Sequence, residues 1–230
     1  MIFDFRFWHY LGNQSSLHLD LQEKQMRGFY KRVWLVGLLG FLYYIARELW
    51  GMNTENLTGV YTVLGYDGYT IARLVSLVGI ILWAAIYLAF HFYGVAFILH
   101  KISSIPFRQL LVLQLFVTAL LLVEKGIIFA VFVFLGMTAP VSFLSFGPLA
   151  ATFLGSAFWV FFFNQLSIFT AVIIAIQYRF IRAFSDIHPR MILLILIGIH
   201  LVMALLVAAF GYLPLENWYS QLVEGGAGNE

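Results

Sequence analysis

Cysteine is absent from the 230 residues, which excludes a disulfide framework, thiolate metal sites, iron–sulfur clusters and a cysteine nucleophile. Charge is scarce: Asp, Glu, Lys and Arg make up 10% of the chain, against about 25% in an ordinary soluble domain. The 13 basic and 11 acidic side chains leave a net charge of +2, too balanced for a nucleic-acid binder. No Walker loop, no HExxH and no GxSxG occurs, so the commonest nucleotide-hydrolysing, zinc-protease and serine-hydrolase arrangements are missing. Asp67 and Glu55 are isolated carboxylates, not a catalytic pair. What the chain has in excess is apolar surface, 62% hydrophobic and 18% aromatic residues with a mean hydropathy of +0.91. A water-soluble globule of this size has too few polar residues to cover so much. The composition is that of an integral membrane protein, and lipid is its first partner.

A bilayer core about 30 Å thick takes roughly 20 apolar helical residues to cross. Five stretches qualify, giving an all-α, five-helix transmembrane bundle. They run from about Val33 to Trp50, Leu74 to Leu99, Gln109 to Leu135, Leu149 to Tyr178 and Met191 to Phe210. Pro140 and Pro148, with serines and a glycine between them, separate the third span from the fourth. Residues 1–32 form an N-terminal segment, 33–214 the bundle and 215–230 a tail. Orientation follows from the cations. Arg6, Lys24, Arg27, Lys31, Arg32, Lys101, Arg108, Arg179, Arg182 and Arg190 all fall on one side, and the connections on the other side carry none. By the positive-inside rule the N-terminus is cytoplasmic and the C-terminus extracytoplasmic. The aromatic-rich opening, Ile2 to Tyr10, and the polar stretch Ser15 to Arg27 read as lying on the inner membrane surface or on a partner, or as a loosely ordered tail. Asn56-Leu57-Thr58 fits a glycosylation sequon.

Polar groups inside spans are the strongest functional pointers in a membrane sequence. At 1.5 Å per residue, Arg47-Glu48 stands about 23 Å beyond Arg32, Glu124-Lys125 about 25 Å beyond Arg108, and Asn164-Gln165 about 22 Å from Arg179. Three helices thus place polar pairs in one layer in the outer third of the membrane, and Arg73 joins from the outer end of the second span. The layer reads either as a clasp that sets helix register or as an outward-facing pocket for a solute or ion. His91 and His200 lie at a shared depth near the midplane, about 15 Å from Lys101 and Arg190. Each either bonds a neighbouring hydroxyl or carbonyl, or the two bracket a haem iron or relay protons. No cofactor or metal is assigned. Gly147, Ala151 and Gly155 recur every fourth residue, the spacing that lets helix backbones approach closely.

The connection Lys101-Ile-Ser-Ser-Ile-Pro-Phe-Arg-Gln-Leu110, the hairpin Pro140-Val-Ser-Phe-Leu-Ser-Phe-Gly-Pro148 and the loop Tyr178-Arg-Phe-Ile-Arg182 resemble the Yip1 family of small membrane proteins, in its bacterial branch, over about residues 30–214. That resemblance implies a cell-membrane protein with no catalytic residues that binds other membrane proteins. It also implies an accessory role beside an ABC-type exporter of toxic or amphiphilic compounds. The alternative is a small permease or channel that uses the outer polar layer as its site.

Overall fold

The computed structural model describes residues 2–23, 25–52, 54 and 57–212. The predicted tail at 215–230, Trp218 within it, and Lys24, Glu55 and Asn56 of the sequon lie outside these residues. The chain is helical. Two short strands, β1 (Ile2–Asp4) and β2 (Gln25–Arg27), pair in parallel around helices α1 (Phe7–Gly12) and α2 (Gln14–Glu23). The long elements follow: α3 (Phe29–Trp50), α4 (Thr58–Ala89), a single π turn (Phe90–Gly94), α5 (Val95–Ser103) and α6 (Phe107–Leu135). Four shorter or later helices follow among the described residues: α7 (Gly147–Phe153), α8 (Ala157–Asn164), α9 (Ile168–Phe184) and α10 (Pro189–Tyr212).

Among the described residues, four helices are long and apolar enough to cross a membrane: Phe29–Trp50, Gly65–Ser103, Phe107–Leu135 and Pro189–Tyr212. They contain the first, second, third and fifth predicted spans. The fourth predicted span, Leu149 to Tyr178, is not one helix. It is broken at Leu154–Ser156 and again at Gln165–Ser167 into α7, α8 and α9. Gly155 causes the first break, because its φ of +55° is left-handed backbone that does not continue a right-handed helix. Among the described residues, Ala151 of the small-residue repeat is exposed and a Cβ on Gly155 would meet nothing within 4 Å. A closer helix approach lies at Gly40 on α3, where a Cβ would come within 2.8 Å of Leu88 on α4.

The chain divides into two units. The first comprises residues 1–138 and 171–196, the second 139–170 and 197–230. Within the first, α6 is the central element. Residues Val112 to Thr118 are all buried, which is the signature of a helix surrounded by other helices rather than one amphipathic at a surface. α3, α5 and the π turn pack against it, and α3 also packs along α4. α5 stops at Ser103 and α6 begins at Phe107, so the Lys101-to-Leu110 connection is a tight turn. His100 Nδ1 lies 2.6 Å from the Ile105 carbonyl oxygen and fastens it.

The N-terminal segment does not simply rest on a surface. Phe5 is buried with its ring 5.8 Å from Phe29 and 5.8 Å from Phe116, and Phe7 stands 5.0 Å from Phe116. These rings bind the segment to the chain's own α3 and α6. Tyr10 and Leu17 are buried as well. The Tyr10 hydroxyl donates to Asp20 at 2.7 Å, joining α1 to α2. Burial, and then the bond to Asp20, push the Tyr10 phenol up from 10.0 to about 12. Between those values the folded chain keeps a proton that the unfolded chain releases. The stabilisation is thus complete below pH 10 and lost as the pH rises toward 12. We expect N-terminal proteolytic protection to fall over that window, and Tyr10→Phe to remove this component of the pH dependence.

In the second unit, Phe162, Ala204 and Ala208 form a small core against Phe158, Phe161 and Leu166. The Ser142–Ser145 turn is pinned to the end of α8. Phe146 N–H donates to the Leu166 carbonyl and Ile168 N–H to the Leu144 carbonyl. These bonds use backbone groups that a helix break exposes, which an apolar environment requires.

Candidate functional site

The predicted polar residues divide into three local arrangements. The first lies at the C-terminal end of α3. Glu48 is only 3% exposed, and its Oε1 accepts from Ser76 Oγ at 2.6 Å. Arg73 reaches the backbone of α3 instead of this carboxylate. Its Nη2 donates to the backbone carbonyls of Glu48 at 3.0 Å and Leu49 at 3.3 Å, and its Nη1 donates to Thr54 Oγ1 at 2.8 Å. Thr54 in turn donates to the Gly51 carbonyl at 3.0 Å. A helix leaves its last carbonyls unpaired and its C-terminus partially negative. The guanidinium of α4 therefore caps α3 on both counts, tying the two helices at one level.

The second arrangement adjoins it. Arg47 lies 5.9 Å from the centre of the Tyr44 ring, and Lys125 Nζ is 5.3 Å from that of Tyr87. Arg47 and Glu124 are both close enough to Lys125 to act on it electrostatically. Tyr44 and Tyr87 are edge to face at 5.6 Å. His91 stacks at 4.0 Å from Tyr87, with its Nδ1 2.9 Å from the Tyr87 carbonyl oxygen. Three helices thus contribute one cluster in which aromatic faces line the cations, and cation–π attraction gains strength where water is excluded. The π turn Phe90–Gly94 carries His91. Such a turn inserts an extra residue into the helix and frequently marks a functional position.

The third arrangement belongs to the second unit. Asn164 Oδ1 accepts from the Ser142 N–H at 2.7 Å and from Ser145 Oγ at 2.8 Å. Gln165 Nε2 reaches the Phe161 carbonyl at 3.4 Å. A Cβ on Gly147 would stand 2.9 Å from Asn164 Oδ1, so its small size makes room for this side chain rather than for a second helix. Asn164 thus acts as a local knot that holds the broken segment together. His200, on α10, belongs to this second unit, and His91 to the first.

Several polar residues inside α6 escaped the sequence reading. Gln114 is fully buried with neither amide atom hydrogen-bonded among the described residues, and the Thr118 hydroxyl is likewise unmatched. Their i, i+4 spacing in an apolar span was the available signal, since such residues share one helix face. Among the described residues no group of three His, Asp or Glu is placed to hold a metal ion.

A groove also opens in the first unit between the N-terminal segment, α3 and α6, with a volume of about 650 Å³. Arg6 and Arg32 stand at one end of it, and Tyr43 lines it farther along α3.

No family model matches the chain, nor does any curated protein or any solved structure. The resemblance to the Yip1 family gains no support from these comparisons.

Proposed function

We propose that this chain is a non-enzymatic integral membrane protein that serves as an accessory subunit of a larger membrane complex. In this reading it sits in the plasma membrane of a bacterial cell and threads the bilayer five times, with its N-terminus inside and its C-terminus outside. The α7–α9 segment makes the fourth passage. The observation that carries the accessory role is the length and exposure of the second spanning helix. Gly65–Ser103 is 39 residues, about 58 Å, whereas a bilayer with its headgroups is about 40–45 Å thick. The excess length and the turn before it expose Tyr61, Val63 and Tyr66. Tyrosine is among the residues enriched where proteins meet partners.

The outer polar layer supports the clasp more than a solute site. Arg73 is bonded to the backbone of α3 and to Thr54, and the Glu48 carboxylate is buried against Ser76. An ABC-type exporter is the partner proposed, on the family resemblance alone.

A photo-crosslinking residue placed at Tyr66 in the native host tests the reading. The expected product is one discrete adduct with a different membrane polypeptide, whose identity also decides the exporter proposal. Val63→Asp is expected to weaken that adduct at least fivefold while leaving expression unchanged. Adducts with lipid alone would remove the basis for an accessory role.

A further inference from the structure

The groove between the N-terminal segment, α3 and α6 combines two chemistries. At one end are the guanidinium groups of Arg6 and Arg32, both exposed. From there its walls are apolar, and they include Leu39 on α3 and Val123 on α6, each about half exposed. The groove therefore opens sideways, toward what surrounds the helices. Tyr43 is eleven residues beyond Arg32 on α3, so the apolar part extends about 16 Å. Half of a hydrocarbon core about 30 Å thick is about 15 Å. A cationic mouth followed by an apolar channel one leaflet deep matches an anionic headgroup joined to an acyl chain.

The groove has a volume of about 650 Å³, room for a phosphate and one acyl chain, with the rest of the lipid left in the surrounding bilayer. The volume falls within the range of about 300–1,000 Å³ common to small-molecule sites. We propose that the groove holds one anionic phospholipid, with its phosphate between Arg6 and Arg32 and an acyl chain along Leu39 and Val123 toward Tyr43. The N-terminal segment then forms one wall of a lipid site, and its docking through Phe5 and Phe7 brings Arg6 into the groove that Arg32 also lines.

The test uses the full-length chain in an uncharged detergent, with native mass spectrometry reading bound lipid. Phosphatidylglycerol and phosphatidylcholine with identical acyl chains are compared, with glycerol phosphate as a chainless competitor. Both lipids carry the phosphate, but choline cancels its charge in phosphatidylcholine; each arginine beside a net-negative headgroup contributes about fivefold, so phosphatidylglycerol is expected to be retained about thirtyfold better. One molecule per chain is expected, and glycerol phosphate is expected not to displace it. Arg6→Gln with Arg32→Gln erases the preference, and Leu39→Trp, which obstructs the channel, lowers retention of both lipids at least tenfold. Circular dichroism confirms that each variant is folded. Should the double arginine variant fail to fold, Leu39→Trp decides alone, and unchanged phosphatidylglycerol retention in it overturns the site. Equal retention of the two lipids by the unaltered chain, a preference that survives both arginine changes, or displacement by glycerol phosphate also overturns it.

Discussion

Phe116→Ala is expected to destabilise the first unit by about 3–5 kcal/mol, the range for removing a buried aromatic side chain. Phe116 is 0% exposed, lies within the fully enclosed stretch of α6 and receives Phe5 and Phe7 on its ring. Removing it takes away apolar contact area and leaves a cavity that neighbours on a central helix cannot readily collapse into. A second effect is specific to this fold. Phe5 and Phe7 hold the N-terminal segment against the helices, so the substitution is expected to release that segment. Limited trypsin digestion checks this: cleavage after Arg27 becomes rapid in Phe116→Ala and stays slow in Phe116→Leu, which keeps most of the volume. Thermal unfolding in detergent measures the stability loss. If the segment stays protected and stability changes by under about 1 kcal/mol, the rings are not what docks it.

Arg73→Leu is the second large effect, a loss of about 2–4 kcal/mol. One guanidinium serves two backbone carbonyls and a hydroxyl. Hydrogen bonds to a charged group contribute about 1.5–3 kcal/mol each, but they share one side chain that is only half-buried, so they do not add in full. The substitution also removes a cation from the negative end of α3. Arg73→Lys keeps the charge but loses the fork that reaches several acceptors at once, and an intermediate loss is expected. Glu48→Gln is the contrasting control. Its carboxylate accepts from Ser76 while Arg73 binds its backbone, so an amide oxygen at that position retains the acceptor. Differential scanning fluorimetry ranks the three variants. Equal melting points for Arg73→Leu and the unaltered chain would falsify the capping role.

Four of the five predicted spans were legible because a bilayer demands a simple quantity, a long run of apolar residues, and that quantity is local in sequence. Arg47, Glu48 and Arg73 were legible as a polar level for the same reason, since helical rise converts residue number into depth. The partners of Arg73 were not, because it binds carbonyls that every helix end presents whatever its side chains. The break at Gly155 was missed because a small residue every fourth position, ending in glycine, fits both a packing face and a helix terminator. Only backbone conformation separates the two.

Composition pointed to lipid, because so little charge and so much apolar surface suit no other solvent, and the roughly 20-residue length of the apolar runs pointed to helices, which satisfy backbone polar groups within each segment. Tertiary structure alone decided that the aromatic N-terminus folds back onto α3 and α6, that Asn164 binds the Ser142–Ser145 turn, and that Arg6 and Arg32 come to line one groove. Those outcomes depend on contacts between residues far apart in the chain, and attraction between apolar surfaces has no direction until packing supplies one.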